Sequence, residues 1–420
     1  MTLPPDEAYV WIWLPGATEP VVAGRIARDG ERLVFNYGQS YLERNDCMPI
    51  YEPELPLRSG AIPPATGLRM AGCLRDAAPD AWGRRVILNR SFGRQGKDVD
   101  TAALDELTYL LESGSDRVGA LDFQRSPSEY VPRTAQAATL EELLSAAERV
   151  EKGIPLTPDL DHALHHGTSL GGARPKAMLQ DGERKLIAKF SSSTDTYNVV
   201  KAEYVAMRLA VRAGLDVVPA RLECVAGKDV LLLERFDRIK APNGWTRKAM
   251  VSALTLFGLD ELMARYASYE DLAEIVRYRF TAPKATLQEL YGRLVFNILC
   301  GNTDDHARNH AAFWDGKQLT LTPAYDICPQ NRSGNEASQA MLIVDDTRMS
   351  TLANCLEAAA QFQLDTAAAE AIILRQIGCI RDAWDGICEE AALTEVERNL
   401  LGQRMFLNRF IFEGAPARLR

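Results

Sequence analysis

The chain has 420 residues, 46% of them hydrophobic and 25% charged. That supports two or three folded domains and excludes a mainly disordered or collagen-like chain. A net charge of −9 excludes non-specific coating of nucleic acid, which needs clustered Lys and Arg. There is no run of 18 or more apolar residues and no N-terminal signal pattern, and the eight cysteines are scattered without a C-x-x-C. A cytoplasmic protein with reduced thiols and no membrane association is expected.

In chain order, Tyr9–Leu14 reads as a strand closed by Pro15-Gly16. Strands Val21–Ile26 and Arg32–Tyr37 follow around the turn signal Asp29-Gly30. Helical stretches near Ala81–Asn89 and Leu104–Glu112 complete a β-rich first domain over residues 1–125. Residues 126–138 are polar and contain proline, and mark a boundary. Thr139 and Glu142 have capping-box spacing and open a helix that stops by Gly153. A Gly-containing stretch, Ser169–Lys176, lies between short strands. Then come the strand Lys185–Phe190, the helix Val199–Ala213 and the strand Asp229–Phe236, a second domain over 139–236. From 237 to 420 helices are expected to dominate.

Within that third domain, Thr286 and Glu289 have capping-box spacing. Leu287, Leu290, Tyr291, Leu294, Val295, Ile298 and Leu299 then form an amphipathic stripe that ends at Gly301. The polar segment Asn302–Asn309 follows, then a hairpin His310–Trp314 and Gln318–Thr322 around Asp315-Gly316, then Pro323-Ala-Tyr-Asp326. Phosphoryl transfer needs one carboxylate to orient the acceptor's proton, and an amide with a second carboxylate to hold Mg²⁺. In protein kinases the first two are spaced D-x-x-x-x-N and the metal Asp lies beyond a hairpin. Asp304 and Asn309 have that spacing, whereas five residues beyond Asp305 stands His310. The spacing nominates Asp304 as the base, with Asn309 and Asp326 on metal.

Upstream, Lys189 in the strand LIAKF is placed to hold phosphate, and Glu203 on the following helix is placed to pair with it. Ser169, Gly171, Gly172 and Lys176 belong to a loop whose small residues let backbone N–H groups approach phosphate oxygens. It is neither a Walker A loop nor G-x-G-x-x-G. Glu234 and Phe236 fall where an inter-lobe hinge presents backbone groups and an apolar edge to adenine. Neither His162, His165 and His166 nor His306 and His310 have a zinc pattern; His306 is expected to orient the Asp304 loop by hydrogen bonding.

Taken together, these segments resemble the HipA family of serine/threonine kinase toxins. The resemblance is carried by Arg75–Arg84, Asp116–Ala120, Ser169–Lys176, Leu233–Arg238, Gly301–Asn309 and Thr322–Asp326, and covers nearly the whole chain. It implies an α+β, two-lobed fold related to protein and lipid kinases, with an N-terminal β-rich subdomain, a lobe carrying the Gly-rich loop and a mainly helical C-terminal lobe. It implies ATP and Mg²⁺, with Asp304 catalytic, Asn309 and Asp326 on metal, Lys189 on phosphate, and Glu234 and Phe236 near adenine. Ser169 matches the loop serine that family members autophosphorylate, and Lys176 a lysine closing that loop. The partner implied is a small helix-turn-helix, HipB-like antitoxin through which DNA is met indirectly. The substrates implied are aminoacyl-tRNA synthetases. The chain departs from the pattern at Arg174-Pro175, which removes one loop amide, and at Asp305, read as a second negative charge close to the metal site. Two other readings stand beside the protein kinase: a catalytically weak co-repressor scaffold and a small-molecule kinase.

Overall fold

Alternating apolar residues near the N-terminus build the first sheet. In the computed structural model, which describes residues 4–93, 99–134, 138–164, 172–332 and 334–420, the chain forms two compact units. One comprises Met1–Thr194, Glu223–Val251 and Phe313–Lys317; the other comprises Asp195–Leu222, Ser252–Ala312 and Gln318–Arg420.

In the first unit, β1 (Glu7–Ile12), β2 (Val21–Asp29), β3 (Arg32–Tyr37) and β4 (Leu121–Gln124) pair antiparallel in the order β3-β2-β1-β4. The second sheet has the order β5-β6-β8-β7. Its strands are β5 (Lys176–Asp181), β6 (Arg184–Phe190), β7 (Ala220–Val225) and β8 (Lys228–Glu234); β7 belongs to this unit from Glu223 onward. Side chains alternate along a strand, so this sheet has two distinct faces. Ala177, Leu186, Ala188, Phe190, Val230 and Leu232 point one way, into a core shared with Trp82, Val86 and the helix Leu140–Glu151. That helix carries the expected capping box: the Thr139 hydroxyl accepts from the Glu142 amide and the Glu142 carboxylate from the Thr139 amide.

A buried ion network ties β8 to the loop before β4. Asp116 accepts from Arg235 Nη1 at 3.0 Å and Arg238 Nε at 2.9 Å. Asp237 accepts from Arg235 Nε at 2.9 Å and from the Gly119 amide at 2.8 Å. Arg235 and Arg238 also donate to the Arg117 carbonyl. Burial alone would push both aspartate carboxyls up. The neighbouring Arg235 and Arg238 override it, holding Asp116 well below the usual carboxylate range and Asp237 below it. The motifs Asp116–Ala120 and Leu233–Arg238 are therefore two halves of one clamp.

The second unit is built around the helix Pro283–Cys300, most of whose side chains are buried. The expected capping box at Thr286 does not form. Pro283 starts the helix at its first turn, so Thr286 lies inside it, buried, with its amide bonded to the Ala282 carbonyl. Glu289 instead accepts from Arg293 and from the Asp216 amide. Gly301 ends the helix at φ 73°, as expected. The dominance of helices beyond 237 is incomplete: Arg238–Ala241 and Gly244–Arg247 form a hairpin, and the described residues of 323–350 are largely irregular.

Candidate active site

Each unit presents its own set of polar groups. In the first, Lys176 on β5 pairs directly with Lys189 on β6. Directly opposed residues of antiparallel strands project to the same face. This face is the one opposite the core. It carries Lys176, Met178, Ile187, Lys189, Leu231 and Leu233, and both lysines are buried. Two buried lysines side by side on one face are residue types suited to holding phosphate oxygens. Glu234, which ends β8, pairs with Leu186, three residues along the strand from the Leu231–Lys189 pair, or about 10 Å. Its side chain lies on the core face, so only its backbone is available to a ligand on the lysine face. Phe236 follows, edge-on to Phe313 with centroids 5.7 Å apart.

The loop before β5 is described from Gly172 onward; Ser169 and Gly171 lie outside the described residues. Gly172 has φ +95°, and a Cβ there would collide with the Lys176 ammonium. Its amide donates to Asp80 Oδ2 at 2.7 Å and its carbonyl accepts from the Trp82 amide at 3.1 Å. The Trp82 indole N–H donates to the Lys176 carbonyl at 2.9 Å. Asp80 and Trp82 thus pin both ends of Gly172–Lys176, a role that sequence reading did not assign them. No local signal links positions 92 residues apart.

In the second unit the chain leaves Gly301 into Asn302–His310. Asp304 is exposed. Its carbonyl accepts from the His306 amide at 2.9 Å and from Asn309 Nδ2 at 3.1 Å, which fixes the Asn309 amide group against the residue bearing the carboxylate. His306 therefore supports the loop through its main chain. Tyr325 donates its hydroxyl to the Arg308 carbonyl at 2.7 Å, and Ala324 is held by Asp216 and Val218. These bonds bring the segment bearing Asp326 against the loop bearing Asn309. Asn309, Tyr325 and Ile327 line one small cavity there, with Arg293, Asn297 and His310. Asp326 has φ +58°, a left-handed conformation that Asp adopts more readily than most residues and that is enriched at functional sites.

Asp305 lines the same small cavity, but its carboxylate is engaged within the fold and not offered as the further charge beside the metal ligands that the sequence suggests. It is buried, with Oδ1 3.0 Å from His310 Nε2 and Oδ2 accepting from the Tyr269 hydroxyl. Burial would raise its carboxyl; the His310 ring and Tyr269 hydroxyl outweigh that and hold it below the usual range. Tyr269 is pushed well above its ordinary value by burial and by Asp305.

The donor sets fit Mg²⁺ and a polyphosphate. One carboxylate and one amide oxygen match an ion that keeps waters and shares phosphate oxygens, and two buried lysines on one face match the phosphates. The chain matches the HipA-like C-terminal domain over residues 168–384, more than half its length, and the HipA N-terminal domain over 13–124. It belongs to the HipA family. It is 25% identical over 349 residues to Y4mE of Sinorhizobium fredii, covering 75% of this chain and 76% of that protein. It is 25% identical over 202 residues to the serine/threonine-protein kinase toxin HipA of Shewanella oneidensis, covering 42% of this chain and 47% of the relative. Its fold is that of the HipA chain solved with HipB and operator DNA from Shewanella oneidensis MR-1. The TM-score is 0.69 at 19% identity, over 93% of this chain and 94% of that one.

Proposed function

We propose that this chain is an ATP- and Mg²⁺-dependent serine/threonine protein kinase that acts as the toxin of a toxin–antitoxin pair. The observation that carries the reading is the tie between Asp304 and Asn309 through the Asn309 amide, with the Asp326 segment bonded to the same loop by Tyr325. Bound ATP would supply the phosphoryl group and Mg²⁺ would neutralise charge on it. Asp304, exposed, orients the acceptor hydroxyl and takes its proton. Asn309 and Asp326 hold the ion. Lys189 and Lys176 hold phosphate oxygens, and the Ala173 and Arg174 amides, between Gly172 and Pro175, line the same phosphates. The backbone at Glu234 and the Phe236 ring receive the adenine, about 10 Å along the strand from Lys189.

Further readings follow family membership. The three-part division at 1–125, 139–236 and 237–420, a cytoplasmic location, autophosphorylation of Ser169, an aminoacyl-tRNA synthetase as substrate and a HipB-like helix-turn-helix antitoxin are proposals on the same footing. The Shewanella relative, in complex with HipB and operator DNA, supports the last. The test is transfer of label from ATP by the purified chain to itself and to proteins of a lysate. Asp304→Asn and Asp326→Ala should each lower transfer by about 10³-fold while the fold is kept. Wild-type turnover in both would refute the assignment.

A further inference from the structure

Two residue pairs with the same five-residue spacing interleave in one loop. Asp304 and Asn309 form the first, Asp305 and His310 the second. The loop turns three of the four side chains inward: Asp305 is 2% exposed, His310 3% and Asn309 8%, while Asp304 is exposed. We propose that Asp305, His310 and Tyr269 form a buried anchor that positions Asp304 and Asn309, the residues next to its two ends. The consequence for catalysis rests on the kinase reading above.

The anchor is closed within the second unit. Asp305 Oδ1 meets His310 Nε2 at 3.0 Å, and Tyr269 donates its hydroxyl to Oδ2. The Tyr269 ring packs edge-on to the His310 ring, centroids 5.4 Å apart. Both carboxylate oxygens are therefore engaged inside the fold. Tyr269 is itself fixed: it is the first residue of the helix Tyr269–Arg279, capped by Ser268, and its amide donates to the Leu342 carbonyl. The His310 carbonyl accepts from the Ala253 amide at 2.8 Å. One cross-link thus holds the loop at both ends, at residues covalently next to the acid and to the amide ligand. A displacement of about 1 Å at such groups costs about 10²-fold in rate. A carboxylate this deep is costly unless its hydrogen bonds are complete, which the ring and the phenol provide. These are positioning residues: both Asp305 oxygens, the Tyr269 hydroxyl and His310 Nε2 are engaged with one another, and the unpartnered ring nitrogen, His310 Nδ1, belongs to a side chain lining the small cavity that Asn309 also lines.

The experiment uses the full chain and four variants, Asp305→Asn, Tyr269→Phe, His310→Leu and His310→Gln, the last retaining a side-chain N–H donor. Two readouts are taken: kcat and KM for Mg·ATP, and amide hydrogen exchange in the 302–310 segment. Asp305→Asn and His310→Leu are expected to lower kcat by about 10²-fold with KM within about threefold of wild type. His310→Gln is expected to recover about tenfold over His310→Leu. Exchange across 302–310 is expected to rise at least about tenfold in Asp305→Asn, with other segments unchanged. Tyr269→Phe removes a single hydroxyl and serves if Asp305→Asn does not fold; it is expected to show the same pattern in weaker form. Unchanged exchange in the loop, or a His310→Gln no better than His310→Leu, overturns the anchor. If the wild type transfers no phosphate, the kinase reading fails and the anchor stands or falls on exchange alone.

Discussion

The buried carboxylates of Asp116 and Asp237 stay charged because arginines face them, and that has a consequence for acid stability. Asp116 and Asp237 both titrate below the ordinary aspartate value. A carboxyl depressed on folding contributes stability that is present above the unfolded pKa, about 3.9, and is lost as pH falls through the folded value. Stability of wild type should therefore decline below about pH 4, and the decline should be shallower in an Asp116→Asn variant. At neutral pH that variant leaves Arg235 and Arg238 without a charged partner they now share, and should lose about 3–5 kcal/mol. Denaturant melts across pH check both; an Asp116→Asn curve parallel to wild type would refute the clamp. The same scale decides how Asp304 and Asp305 differ. They are chemically identical neighbours, yet one is exposed and the other spends both oxygens on Tyr269 and His310.

At the scale of elements, Gly301 governs how the long central helix hands over to the loop bearing Asp304. Its φ is 73°, and a Cβ would stand 2.9 Å from the Met405 carbonyl oxygen. Gly301→Ala should destabilise by more than about 1 kcal/mol, whereas Thr139→Ala, which removes an exposed cap, should cost about 1 kcal/mol without touching the candidate site. Thermal melts compare them, and a neutral Gly301→Ala would argue against the strained turn. Sequence pattern was informative where the determinants are local. Asp304 and Asn309 are five residues apart, Gly301 follows an apolar stripe, and Thr139 stands three before Glu142. It failed at Thr286, where the same three-residue spacing occurs but Pro283 had already begun the helix. Long-range partners were not legible: Gly172 to Asp80, Tyr269 to Asp305 and Asp116 to Arg235 join positions 92, 36 and 119 residues apart. Nothing in a window of neighbours encodes such pairings; only the packed chain does.

For the whole molecule, the proposed ligands of a nucleotide are divided by unit. Lys176 and Lys189 belong to one, Asp304, Asn309 and Asp326 to the other. If both sets serve one bound nucleotide, Mg·ATP at 100 times its Kd should raise stability by about 2.7 kcal/mol. Lys189→Ala in one unit or Asp326→Ala in the other should each suppress that rise. Calorimetric melts with and without Mg·ATP read this directly. A rise that survives both substitutions would mean that the nucleotide sits elsewhere.

The route of the chain has its own outcome during synthesis. The first unit takes residues from three separate stretches, the last being Phe313–Lys317, where Trp314 packs edge-on to Tyr51 and bonds the Pro49 carbonyl. A nascent polypeptide stopped before residue 228 has made β6 but not β8, its partner. It would leave the ribosome with a bare, apolar strand edge, which is a template for self-association. Premature termination here would give an aggregation hazard, and a fragment meant to carry the whole first unit must be joined from three separate stretches of the chain.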